Sequence, residues 1–543
     1  MNALLLVSAF FLTEPAAHDH QHQLEKLGNV NFQTSCSPQA QAPFRRGMTL
    51  LHSFEYPQAE AAFNEAAAAD PTCSIAHWGV AMSLYHPLWA PPSKAELERA
   101  HAALAKAQAA PAKSERERDY VAAVATYYRD SDKLDHKARA LAYNEAMAAL
   151  HTRYPADREA AIFFALSQIA AGTQDQDPIF AREKEAAAIL NALLKEEPDH
   201  PGVTHYLIHG FDYPPLAGLA VPAARRYANI APDSPHAQHM PSHIFTRLGM
   251  WEESIASNLK SEAAARALVK SEGFDGGSNE QLHAMDYLAY AYLQTGQETG
   301  AQRVLADLNA MQKVNQPIFT VAYAATAVPV RIVLENRRWT EAASLKLQDN
   351  VAQLAPLENF QWAYAHIHFA RAVGAARSGD GAAAREETAK LKAIEDALVV
   401  PPGTYDWRKQ VSIERQVAEA WATYAEGKKD EAVTTMRAAA DLDDATEKHP
   451  VTPGAILPAR EQLGEMLLEL NRPQEALVEY EGSLKRAPRR LVGLYGAAHS
   501  AKLAGDAVKA GRYYAELVDV TKASDGTRAE IKEAREAAKM AAR

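Results

Sequence analysis

The chain has 543 residues, is 48% hydrophobic and 23% charged, and carries a net charge of −11. No Lys/Arg cluster supplies a footprint for nucleic acid, which excludes that class of partner, and the acidity serves solubility. A chain this long exceeds one compact core, but a solenoid need not build one, because each repeat packs only on its neighbours.

Taken in order, the chain begins with an apolar run of ten residues, Ala3–Leu12. That run is too short to span a bilayer and reads as the h-region of a signal peptide, with Pro15-Ala16-Ala17 as the cleavage region. An apolar first helix is the alternative, but Thr13, Glu14, Pro15 and the polar HDHQHQ stretch would end it abruptly. The expectation is a signal peptide over residues 1–17, an N-terminal extension over 18–43, and export to a periplasmic or extracellular space. No later segment is apolar enough to cross a membrane. Cys36 and Cys73 are the only cysteines, and an exported chain with a single pair is a candidate for one disulfide.

From Phe44 onward the sequence repeats. A small residue at repeat position 8, Ala at 20, a large residue at 24 and Pro at 32 recur as Gly47, Ala59, Phe63, Pro71 near the start. Near the end they recur as Gly464, Ala476, Tyr480, Pro488, and one period later as Ala498, Ala510 and Tyr514. Small residues let paired helices approach, the large residue fills the groove, and Pro ends the second helix. Gly or Asn marks many of the turns between, among them Gly249, Gly296, Asn336, Gly379, Gly427 and Asn471. Pro87–Pro92, the Gly-rich Ser271–Ser278 and Pro401-Pro402-Gly403 interrupt the pattern. Residues 115–190 are helical but depart from strict spacing.

This pattern resembles the tetratricopeptide repeat family over most of the chain. The stretches LHSF, AHWGVAMSLYHPLW and HMPSHIFTRLG look like a subfamily of bacterial exported repeat proteins with no established activity. The resemblance implies an all-α, right-handed superhelical solenoid of antiparallel helix pairs. It would be divided into residues 44–270, carrying a His-rich groove, and 279–543, ending in a capping helix. It also implies a Cys36–Cys73 disulfide, because the starts of adjacent first helices lie side by side in such stacks.

Seven of the twenty histidines fall between His200 and Asp286. His205 and His239 are 34 apart (239 − 205), as are His209 and His243 (243 − 209). Thirty-four residues is one tetratricopeptide period, so both pairs recur at repeat positions 5 and 9. His236 takes position 2 of its repeat, Asp212 position 12 of the earlier one, and His283 and Asp286 positions 2 and 5 of the next. In the resembled family such first-helix positions face the concave groove, and i, i+3, i+4 and i+7 share one helix face. Imidazole with carboxylate suits Zn, Fe, Ni, Cu or Mn, and His at i and i+4 can chelate from one face. The competing reading is a hydrogen-bonded polar seam, or a site for a peptide carboxylate. Pro241 implies either a kinked first helix or a helix that starts there, leaving His236 and His239 on the preceding loop.

His52, His77, His86 and Trp78 are expected in packing roles, as are Trp362, His366 and His368. No Walker loop, GxGxxG fingerprint or GxSxG elbow is present, so nucleotide and serine-hydrolase chemistry lack support. Two functions follow. The first is a binding scaffold whose concave groove holds a peptide, a protein or a metal-bound ligand. The second is a metal-dependent enzyme that uses the His/Asp cluster for hydrolytic or oxidative chemistry.

Overall fold

A computed structural model describes residues 26–88, 90–110, 113–175 and 177–541. The expected signal peptide therefore lies outside the described residues. Within them the protein is all-helical, with no strand and one isolated bridge between Gly277 and Val314. No described helix is long and apolar enough to cross a membrane.

Local sequence explains the unit that repeats. In helix Tyr56–Ala69, Ala59, Ala62, Phe63 and Ala66 are buried at the i, i+3, i+4, i+7 spacing of one face. Pro57 sits in its first turn, and an extended Asp70 followed by Pro71 ends it. This helix packs on Pro38–His52, and Phe63 is the wedge between the first helices of two pairs. A Cβ on Gly47 would lie 2.8 Å from the Phe63 ring, and one on Gly79 would lie 2.3 Å away. Tyr480 repeats the arrangement at the other end, 2.7 Å and 2.2 Å from Cβ atoms built on Gly464 and Gly496. Loss of such a buried aromatic side chain costs about 3–5 kcal/mol. Successive pairs stack this way along the chain, as the solenoid expectation requires. Examples are Gln361–Arg377 with Gly381–Ala397, Trp407–Ala425 with Lys429–Asp444, and Leu491–Leu503 with Ala507–Val520.

The apolar core falls into two clusters, one from Leu27 to Phe245 and one from Trp251 to Ala534. The Gly-rich segment Ser271–Ser278 joins two helices that pack on each other, Trp251–Ser271 and Asn279–Thr295. The second cluster curls until its late helices meet its first ones. Trp251 Nε1–H donates to the Arg489 carbonyl at 2.8 Å. The buried Arg490 guanidinium reaches Glu335 at 2.6 Å, Glu461 at 2.8 Å and the Tyr290 hydroxyl at 2.7 Å. The connector between Asp444 and Ala459 fills the interior of this turn. Arg331 holds its Gly454 and Ala455 carbonyls, each at 2.8 Å. Cys36 and Cys73 are joined by a disulfide with Cα atoms 5.0 Å apart, tying the N-terminal extension to the start of helix Ser74–Ser83.

Candidate metal centre

The histidines gather where the two apolar cores meet. His205 and His209 lie one turn apart on helix Pro201–Phe211. His236 and His239 occupy the short helix Pro235–His239, which Ser234 caps through Ala237 N–H at 3.0 Å. Pro241 begins the next helix, Pro241–Arg247, which carries His243. Met240 between them keeps helical dihedrals, so the chain kinks and His236 and His239 stay on a helical turn of their own. His283 and Asp286 lie on helix Asn279–Thr295.

Six imidazoles form two triads, each with one ligand atom per residue within 4.8 Å of the others: His205, His209, His236, and His239, His243, His283. The two share one recipe, with positions 5 and 9 from one repeat and position 2 from the next. His205 Nε2 lies 3.1 Å from His209 Nε2 and 3.2 Å from His236 Nε2. His239 Nε2 lies 3.0 Å from His243 Nε2. Nitrogens that share an ion at about 2.0–2.1 Å are separated by about 2.9–3.4 Å between right-angle and tetrahedral geometry. One aromatic ring seats each triad. Phe54 lies 4.3, 5.5 and 5.8 Å from the His205, His209 and His236 rings. Tyr287 lies 4.7, 5.2 and 5.5 Å from those of His239, His243 and His283.

The far ring nitrogens fix the tautomers. His205 Nδ1–H donates to the His52 carbonyl at 2.7 Å. His239 Nδ1–H donates to Asn258 Oδ1 at 2.7 Å, and the Asn258 amide is oriented by donating to Ser254 O at 2.8 Å. His243 Nδ1–H donates to Asp212 Oδ2 at 2.9 Å. Burial, followed by the neighbouring imidazoles, pushes His205, His209, His239 and His283 well below the usual value. Burial also lowers His243, against the pull of Asp212. A neutral imidazole that donates from Nδ1 presents only a lone pair at Nε2. His239 and His243 therefore aim two lone pairs at each other across 3.0 Å, and His283 Nε2 beside them has no hydrogen-bond partner. Such a buried arrangement is unfavourable unless a cation lies between the nitrogens.

Of the eight residues picked out in the sequence as ligands, the six histidines converge and the two aspartates do not join them. Asp212 stands behind His243. Burial alone would raise its carboxyl, but Lys448 at 3.6 Å and Arg247 at 2.8 Å hold it well below the carboxylate range. Asp286 faces Arg331 at 3.5 Å, and burial pushes its carboxyl up to about 6 despite that guanidinium.

Several residues of the site were not expected. His52, read as packing, supplies the carbonyl that holds His205 and belongs to a third buried group with Glu159 and His200. Asn258 shares a helix face with Ser254 and Ser261, all three buried, and that polar stripe was its one sequence signal. Lys448 comes from the distant connector and left none. His366 and His368 do pack as expected, against Thr326 at 3.0 Å and Glu387 at 2.6 Å.

A cleft of about 580 Å³ opens onto both triads, with His236 from one and His283 from the other in its wall. Phe54, Tyr56 and Phe319 give it aromatic surface, and Glu55 and Glu280 line it with carboxylates. Burial, then Glu280, pushes the Glu55 carboxyl up to about 8, although the Ser234 hydroxyl donates to it at 2.6 Å.

No family model and no curated protein matches the chain. Solved structures do align with it. The human IFIT1 dimer with m7Gppp-AAAA is 12% identical, with a TM-score of 0.35 over 87% of this chain and 94% of that one. Yeast Tom70 is 11% identical, with a TM-score of 0.32 over 92% and 96% of the two chains. The P58(IPK) TPR domain is 14% identical, with a TM-score of 0.20 over 71% and 98%. These neighbours are tetratricopeptide-repeat proteins, and the chain is an all-helical repeat scaffold by its own helix pairing. The likeness is to the fold and reaches no further.

Proposed function

We propose that this chain is a metal-dependent enzyme on a helical-repeat scaffold, with two three-imidazole centres serving a cleft that admits a small molecule. The observation that carries the reading is the lone-pair contact between His239 Nε2 and His243 Nε2 at 3.0 Å, with both Nδ1 atoms committed as donors. Zn, Cu, Fe and Ni suit imidazole ligands, whereas Mn prefers oxygen. A bound ion with three protein ligands supplies Lewis acidity at an open position, and a redox-active one supplies electrons as well. The chain's own residues do the positioning. The His52 carbonyl, Asn258 and Asp212 hold protons at the far ring nitrogens, so that each Nε2 faces inward. Phe54 and Tyr287 pack against the rings, and Tyr287 is itself tied down by its hydroxyl donating to Thr452 O at 3.2 Å. Export to a periplasmic or extracellular space fits the Cys36–Cys73 disulfide and the apolar run near the N-terminus.

A second reading keeps the chain a non-catalytic scaffold that holds a peptide or protein in its groove, and the aromatic wall of the cleft favours it. Metal analysis separates the two. The full chain, stripped and then reloaded with Zn²⁺ or Cu²⁺, is expected to retain two equivalents through desalting. A chain that retains neither ion overturns the enzyme reading and leaves the scaffold.

A further inference from the structure

Ring distances tie the triads together. Within a triad, centroids are as far apart as 6.4 Å (His209 to His236) and 6.1 Å (His243 to His283). Across the triads, His209 lies 6.1 Å from His243 and His236 lies 6.5 Å from His239. The gap between the groups is thus about as wide as the spread inside them.

The surroundings leave positive charge unmet. Two divalent ions in six neutral imidazoles would bring about four positive charges into a buried site, which is costly unless they are compensated. Asp212 is already neutralised by Arg247 and Lys448, and Asp286 by Arg331. Glu280, 3.8 Å from His236 Nδ1, adds negative charge on the cleft side alone. The remaining compensation has to come from a ligand.

We infer that the two triads are one binuclear centre, in which a small oxygen- or nitrogen-donor anion bridges two cations and enters through the cleft beside His236 and His283. The inference rests on the proposal that the triads hold metal, and it adds that the two ions act as a pair.

Copper(II) and azide test it. The stripped full chain is loaded with two equivalents of Cu²⁺, the spin signal is integrated per copper, and azide is titrated in. One azide per two coppers is expected, with most of the spin signal lost as the bridged ions couple. His283→Ala and, independently, His236→Ala should each hold one copper with a full signal that azide does not quench. Two bound coppers that keep two full spins and take two azides overturn the pairing while leaving the metal reading intact. A chain that binds no copper and no zinc overturns both.

Discussion

Two kinds of buried histidine group stand a few residues apart in this protein. In His52–Glu159–His200, Glu159 accepts from His52 Nε2–H at 3.0 Å and from His200 Nε2–H at 2.9 Å. The Tyr206 hydroxyl donates to His52 Nδ1 at 2.9 Å. These donors meet acceptors, so no cation is needed between them, although the His200 Nδ1 that points away from Glu159 has no hydrogen-bond partner. Burial works to raise the Glu159 carboxyl, but His200 and His52 outweigh it and hold it below its usual range. In the His239–His243–His283 triad, lone pair faces lone pair. Burial and the number of potential ligands are the same in all three groups. The difference lies in which atoms face one another, so counting ligand residues does not tell these groups apart, whereas following each proton does.

The widest separation between the two kinds should come from deleting one imidazole of each triad. His209→Ala with His243→Ala should abolish retention of Zn²⁺ or Cu²⁺ and leave the far-ultraviolet helical signal nearly unchanged, because few repeat contacts are lost. Unfolding of the double variant, with no metal in the parent, would assign these histidines to structure alone.

Glu159→Ala should do the reverse. It strands two buried imidazoles, so denaturant unfolding should show a loss of about 3–5 kcal/mol, the range for breaking a buried pair. The folded fraction should still retain its metal. If stability holds and metal is lost, the self-contained account of the third group is wrong.

The metal-free protein should also respond to pH through the triads. His205, His209, His239 and His283 are held well below the ordinary imidazole value of 6.5, so the unfolded chain binds more protons than the folded one below that pH. Their contribution is complete above 6.5 and falls away as the pH drops toward the lower folded values. Glu55 and Glu414, each raised to about 8, act in the opposite sense as the pH rises, so a difference measurement is needed. His239→Ala with His283→Ala should flatten the stability slope below pH 6.5 by about 1.4 kcal/mol per pH unit for each imidazole removed. Parallel slopes in parent and variant would mean that these rings titrate normally.

The smallest effect should come from a residue behind the site. Asn258→Ala removes the acceptor that orients His239 and should weaken metal binding about 10–100-fold at that triad alone. Equal weakening at both triads, read by stepwise calorimetric titration, would count against separate support for each.

The sequence by itself determined the repeat and the register of the site. Gly47, Phe63, Gly464 and Tyr480 mark helix pairs because close approach and groove filling need those sizes, and the 34-residue interval puts His205 with His239 and His209 with His243. Repetition makes position a proxy for space, so six imidazoles could be assigned to one region from spacing alone. What only the tertiary structure decided is how they divide and what they lack. Asp286 has the right spacing, yet it turns to Arg331, because a buried guanidinium at 3.5 Å is a stronger partner than a neutral ring. Lys448 reaches Asp212 from more than two hundred residues away on a connector with no repeat pattern. The facing lone pairs follow from which carbonyl, amide or carboxylate lies behind each ring. A hydrogen bond depends on tenths of an ångström and on direction, and no sequence spacing carries that information.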